Sequence, residues 1–197
     1  FKPEWDIPIP PVARTEAGAL MSSSPRFVLI PPSASNSERN WLPERYAAVA
    51  RHCVAHDMGV IVTGSPAPHE LNLATTICSL AGCHVVNGAG KTSLKALLAL
   101  CRRASLVIGP DSGTLHMATT QGTPVIGLYA HSNPQRTGPY CSMNYVVDVY
   151  TDYTVQNYGA SKLNQWGFRL KGPELMSLIT TQSVIDTVDR VLAASSR

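Results

Sequence analysis

From Phe27 onward, short apolar runs alternate with helical patterns, and that alternation leaves few folds open. The runs are Arg26–Ile30, Val60–Thr63, His84–Val86, Ser105–Ile108, Thr123–Leu128 and Tyr145–Val149. The stretches between them carry helix punctuation. Pro43 suits a first helical turn, and Tyr46, Val49, Ala50 and Cys53 share one stripe of a helix over Pro43–His56. Further helices are predicted over His69–Leu80, from a Ser93 cap to Leu100, from an Asp111 or Ser112 cap to Gln121, and over residues 182–194. Strands apolar along their whole length, each followed by a helix, build a parallel sheet covered on both sides. The predicted fold class is α/β, a parallel sheet with helices on both faces.

The amino-terminal stretch has a different texture. Seven of the fifteen prolines fall within the first 32 residues (Pro3, Pro8, Pro10, Pro11, Pro25, Pro31, Pro32), a density that no central strand tolerates. Residues 1–25 therefore read as a Pro-rich linker or domain boundary, extended apart from one helical turn around Thr15–Leu20, and residues 26–197 as one domain. The chain opens without Met and reads as an excerpt of something longer. With 44% apolar and 15% charged residues, bulk disorder is excluded. A net charge of +3 and 7% aromatic residues give no nucleic-acid surface. No apolar run approaches the ~20 residues of a membrane span, and no signal peptide is visible. Cys53, Cys78, Cys83, Cys101 and Cys141 are odd in number and lack a C-x-x-C pair, which favours buried, inert thiols and a reducing cytoplasm over disulfides or zinc.

In a parallel sheet, ligands lie beyond the carboxyl ends of the strands. Four loops fall there. Gly109-Pro-Asp-Ser-Gly-Thr-Leu-His116 follows a strand and opens a helix, so the backbone N–H groups of Ser112, Gly113 and Thr114 can approach a phosphate. The Asp111 carboxylate cannot attract that phosphate and must accept hydrogen bonds elsewhere, from a sugar hydroxyl or from helix N–H groups. An ordinary cap, with His116 satisfied inside the fold, fits this segment equally well. Asn87-Gly-Ala-Gly-Lys-Thr-Ser93 matches the second half of a P-loop, but Val85 stands in place of its first Gly. A Gly-rich connection that opens a helix and lies flat against an adenine fits it better. The hydroxyl-rich loop Pro32–Trp41 carries Arg39, whose guanidinium suits a phosphate but also reads as a solvated loop charge. Glu70 suits two ribose hydroxyls or a helix first turn. No D-x-D, H-E-x-x-H or nucleophile elbow is present.

Taken together, these loops resemble the heptosyltransferases, glycosyltransferase family 9. The resemblance rests on Pro32-Ser-Ala-Ser35 with Arg39-Asn-Trp41, Gly64 with Glu70, Gly90-Lys-Thr-Ser-Leu94, Gly109-Pro-Asp-Ser-Gly-Thr-Leu-His-Met-Ala118, and Gly122–Leu128 with Gly138-Pro-Tyr140. It covers about residues 26–140. Arg39 stands where Lys is common in the family, Trp41-Leu-Pro43 has one residue more than the usual Trp-Pro, and residues 150–180 carry none of the motifs on which the resemblance rests.

The resemblance implies a Rossmann-like domain forming the carboxyl-terminal half of a two-domain GT-B type glycosyltransferase. It implies an inverting, metal-independent transfer of heptose from ADP-heptose to a lipopolysaccharide core acceptor, without further cofactor. Ser35 and Arg39 would contact phosphate, with Arg39 stabilising the leaving diphosphate. Glu70 would meet the ribose, Thr92 the base and Asp111 the donor sugar, while Ser112, Gly113 and Thr114 would hold the diphosphate by their N–H groups; His116 belongs to the signature. The general base would come from an amino-terminal domain of the same protein, so that this chain alone binds donor without turning it over. The cytoplasm, at the inner face of the bacterial inner membrane, is the implied location. The alternatives are a non-catalytic nucleotide-sugar binding module, a GT-B enzyme using a different nucleotide-sugar, and a sugar-nucleotide epimerase on the same fold.

Overall fold

The computed structural model describes residues 3–21, 26–82 and 84–195. Six parallel strands form one sheet: β1 (Phe27–Ile30), β2 (Gly59–Val62), β3 (Val85–Asn87), β4 (Leu106–Pro110), β5 (Val125–Tyr129) and β6 (Val147–Asp148), in the spatial order β3-β2-β1-β4-β5-β6. The two halves of that order wind outward from β1 and β4, so the chain reverses direction between them. A crevice opens there, at the carboxyl ends of the two central strands.

Strand side chains alternate between two cores. Val28, Ile30, Val60, Val62, Leu106 and Ile108 join α2 (Pro43–Ala55), α3 (Pro68–Ala81) and α8 (Thr181–Ser195) on one face. Phe27, Leu29, Ile61 and Val107 join α1 (Pro11–Gly18), α4 (Leu94–Arg103) and α5 (Gly113–Thr120) on the other. All four residues of β1 are buried, as expected of the central strand of a doubly covered sheet. The stripe expected on α2 is the buried one, with Tyr46, Val49, Ala50 and Cys53 all inside. A short α6 (Pro134–Thr137) follows β5, and α7 (Tyr150–Tyr158) lies in the stretch for which the sequence suggested no element.

The linker expected at the amino terminus is corrected over its middle, where the helical turn expected around Thr15–Leu20 is longer and begins earlier. Pro11 starts an eight-residue helix, α1, as a proline at the first helical position does. Ile9, Ala13 and Ala17 are buried, and the two small alanines, four apart, let α1 lie close against α4. The Glu16 carboxylate accepts hydrogen bonds from Ser93 N and Ser93 Oγ at the start of α4, and Lys95 Nζ donates to the Pro8 carbonyl at 2.9 Å. Residues 1–2 and 22–25 of the expected linker lie outside the described residues, as does Cys83.

Among the other cysteines, Cys53 and Cys101 are buried free thiols, and burial pushes both up to about 12. Cys78 is half-buried and Cys141 is exposed, so the expectation of uniformly buried thiols is corrected at these two positions. Among the described residues, no helix is long and apolar enough to cross a membrane.

Candidate functional site

The strand-to-helix loops meet over the carboxyl ends of β1, β2 and β4 in a cleft of about 560 Å³. Six of the nine residues singled out from the sequence line it: Ser35, Glu70, Thr92, Ser112, Gly113 and Thr114. The other three, Arg39, Asp111 and His116, form a charged cluster that adjoins the cleft through Ser35 and Ser112.

The floor of the cleft carries hydroxyls with nothing to bind. Ser33 Oγ, Thr63 Oγ1 and Ser112 Oγ are buried and have no hydrogen-bond partner among the described residues. Leaving one buried hydroxyl unpaired costs about 1–3 kcal/mol, so three around one cleft point to a polar ligand. The capping expected from Asp111 or Ser112 is not made. Ser112 occupies the position before α5 with extended backbone, φ −148° and ψ 162°, but its side chain makes no cap hydrogen bond. Asp111 stands one residue earlier, turned toward the loop after β5. The first N–H groups of α5, at Gly113 and Thr114, thus keep the positive end of the helix uncapped at the cleft wall.

Asp111 is nine-tenths buried and is the hub of the cluster. It accepts hydrogen bonds from hydroxyls of the β5 loop, not from helix N–H groups. Ser132 Oγ donates to Oδ2 at 2.7 Å, and Thr137 Oγ1 donates to the same oxygen at 3.2 Å. Three cationic or ionisable groups surround the carboxylate: Arg39 at 3.6 Å, His116 at 3.7 Å and Arg169 at 3.9 Å. Burial pushes the Asp111 carboxyl upward. His116, Ser132, Arg39 and Thr137 together outweigh that and hold it below the usual aspartate range. The Arg39 guanidinium also donates to Ser35 Oγ at 3.0 Å and to the Asp111 carbonyl at 3.2 Å, tying the loop after β1 to the loop after β4.

On the other side of the cleft, Glu70 opens α3 and binds its own loop. Its carboxylate accepts from Ser65 N at 2.9 Å and Ser65 Oγ at 2.6 Å. A Cβ at Gly64 would lie 3.1 Å from Glu70 Oε2, so the glycine leaves the carboxylate room at the strand end. Ser93 caps α4 as expected, accepting from Ala96 N at 3.2 Å. Thr92 is thereby placed at the cleft wall. The segment Gly88–Lys91 is a turn in which Lys91 Nζ donates to its own loop at the Asn87 carbonyl, 2.9 Å away, rather than a phosphate cradle.

Sequence reasoning missed Ser132, Thr137 and Arg169. The strand-end rule applied to β5 does point to residues 130–137, but serine and threonine in a loop carry no signal of their own. Arg169 had no local signal at all. Three potential metal ligands gather elsewhere, where His52 of α2 and His56 just after it face Asp189 of α8. None of them lines the cleft.

The chain matches the family model of glycosyltransferase family 9 (heptosyltransferase) over residues 2–164. It belongs to that family. This family-9 chain is 41% identical over 192 residues to the lipopolysaccharide core heptosyltransferase OpsX of Haemophilus influenzae, covering 96% of this chain and 55% of that protein. It is 26% identical over 175 residues to lipopolysaccharide heptosyltransferase 2 of Salmonella typhimurium, covering 84% of the chain and 50% of the relative. Its fold is that of ADP-heptose lipopolysaccharide heptosyltransferase II of E. coli, with a TM-score of 0.75 at 19% identity over 99% of this chain and 55% of the other. The family 9 glycosyl transferase of Veillonella parvula gives a TM-score of 0.76 at 23% identity, over 97% and 54% of the two chains. The family-9 chain spans about half the length of the curated relatives it matches.

Proposed function

We propose that this chain binds the nucleotide-sugar donor of an inverting, metal-independent glycosyl transfer, with ADP-heptose as donor and a lipopolysaccharide core as acceptor. The observation that carries the reading is the uncapped amino terminus of α5, set beside the Arg39–Asp111 pair over the reversal point of the sheet. An anion at that terminus meets backbone donors and the helix dipole. A sugar on the same anion would reach the one buried carboxylate of the cluster.

In this reading the N–H groups of Ser112, Gly113 and Thr114 hold the diphosphate. Arg39 neutralises the charge that grows on it as the bond to the anomeric carbon breaks. Glu70 accepts from the ribose hydroxyls and Thr92 flanks the base. The acceptor hydroxyl oxygen bonds to the anomeric carbon, the diphosphate leaves with the electron pair, and the acceptor proton must go to a base. Asp111 suits that task poorly, because its partners keep it ionised and weakly basic. The base is therefore assigned to a facing domain of the full-length protein, and closure of the two domains would exclude water. The similarity to named lipopolysaccharide heptosyltransferases supports this donor and acceptor over other nucleotide-sugars.

Calorimetric titration of the chain with ADP, GDP and UDP, each with and without EDTA, tests the reading. ADP is expected to bind tightest and to ignore EDTA. Arg39→Ala should weaken ADP about tenfold or more, the worth of a charge-assisted hydrogen bond to phosphate. Preference for UDP or GDP, or binding abolished by EDTA, would overturn it.

A further inference from the structure

Arg169 lies beyond the residues 2–164 that match the family, yet its place is firmly built. The Phe168 carbonyl accepts from the Arg136 guanidinium at 3.1 Å and from Tyr150 Oη at 3.5 Å. On the other side, Leu170 N donates to the His131 carbonyl at 3.0 Å and the Leu170 side chain is buried. His131 Nε2 then lies 2.9 Å from the Gly172 carbonyl. Arg169 is thus held between two anchored neighbours, both tied to the loop after β5 that also supplies Ser132 and Thr137.

The charges do not balance there. Asp111 is one carboxylate, and it faces two permanent cations at 3.6 and 3.9 Å. Neither is within hydrogen-bonding distance of it. Arg39 has two of its five donors engaged with Ser35 and the Asp111 carbonyl. The Arg169 guanidinium is half-exposed and makes no hydrogen bond among the described residues, so its planar fork of donors is open to an anion in the cluster that adjoins the cleft.

We propose that Arg169 is a second phosphate-binding cation of the donor site, contacting the sugar-proximal phosphate of a nucleoside diphosphate sugar alongside Arg39. The inference rests on the donor-site reading above and adds to it the residue that recognises the second phosphate. When the bond from the anomeric carbon to that phosphate breaks, the electron pair stays on the phosphate oxygen. The acceptor oxygen takes the carbon and its proton goes to the base. Two guanidinium groups then share the charge.

The alternative, a counter-charge that only steadies Asp111, is separated by comparing ADP with AMP. Both nucleotides are titrated at low salt into the wild-type chain and into Arg169→Ala, Arg169→Lys and Arg39→Ala. Arg169→Ala is expected to weaken ADP about tenfold, to leave AMP within about twofold, and to be partly rescued by Lys. Equal loss for ADP and AMP, or no loss for either, would overturn the proposal. If Arg39→Ala weakens ADP and Arg169→Ala does not, the inference fails while the donor-site reading stands. If the wild-type chain binds neither nucleotide, both fail.

Discussion

Replacing Asp111 by Asn keeps the shape of the side chain and removes one negative charge from the middle of a cationic cluster. Two consequences follow in opposite directions. The carboxylate accepts from Ser132 and Thr137, and hydrogen bonds to a charged acceptor are worth about 1.5–3 kcal/mol, of which a neutral amide keeps part. A net loss of about 1–2 kcal/mol would lower Tm by about 2–8 °C in a chain of this length. A phosphate on the far side of the Arg39 guanidinium would lie about 6 Å from the carboxylate, where two unit charges repel by about 0.7 kcal/mol in water and about 2.8 kcal/mol at an effective dielectric of about 20. With the intervening Arg39 guanidinium and nearby solvent screening the pair, about 1 kcal/mol is expected, so the less stable variant should bind ADP about fivefold more tightly. The same variant should lose affinity for ADP-heptose, because a sugar hydroxyl no longer meets a charged acceptor. Thermal scans also carry a pH signature. The Asp111 carboxyl lies below its ordinary value in the fold, so its stabilisation is complete above the unfolded value and is lost as the pH falls through the folded one. The wild-type advantage over Asp111→Asn should therefore shrink below about pH 4. Weaker ADP binding in step with weaker ADP-heptose binding would refute the electrostatic reasoning and make Asp111 a scaffold residue.

A Cβ at Gly109 would lie 2.6 Å from the Pro31 carbonyl, where the ends of β1 and β4 touch. Gly109→Ala should therefore cost about 1–3 kcal/mol, read as a Tm lower by about 2–12 °C. Glu70→Ala removes both hydrogen bonds that hold Ser65. In titrations it should erase any preference for ADP over 2′-deoxy-ADP and 3′-deoxy-ADP, and a preference that survives would remove Glu70 from the ribose site. Cys53 and Cys101, pushed up to about 12 by burial, should stay unmodified by iodoacetamide near pH 8 until denaturant is added, while exposed Cys141 reacts at once. Mass spectrometry of the alkylated peptides reads this directly.

The alternation of apolar runs and helical patterns was enough to place all six strands to within two residues at each end, because the central strands β1, β4 and β5 are buried along their whole length and so are apolar. It overran at β6, where Tyr145–Val149 reads as five residues and only Val147 and Asp148 pair with β5. An edge strand needs few partners, and its length is set by the neighbour. Proline density masked the first turn of α1, of which only a turn around Thr15–Leu20 was expected. The same Pro10-Pro11 that argues against a continuing helix is well suited to begin one, and what stabilises it is Ala13 and Ala17 against α4, a contact eighty residues away in the chain. Residues 150–180 gave no pattern because their anchors are carbonyls: those of Leu163, Gln165 and Phe168 accept from Asn133 and Arg136. Backbone acceptors leave no mark on side-chain identity.

The site divides along the same line. The place of Ser35, Glu70, Thr92 and Ser112–Thr114 at the cleft was legible because each lies in the loop or first helical turn that follows a strand, where local order already points the chain at the crevice. Asp111 was legible as a residue but not in its partners. Its hydrogen bonds come from a loop twenty residues on, and one of its cations from fifty-eight residues on. Those partners decide what Asp111 is: in a short peptide it would cap a helix, whereas here it is turned away from α5, and that leaves the helix start open to an anion. The loop after β5 therefore contributes to the anion site without touching it, by taking the carboxylate that would otherwise occupy the same N–H groups. Changes at Ser132 or Thr137 should on this argument act at α5, by releasing Asp111 to cap it, before they act on the fold.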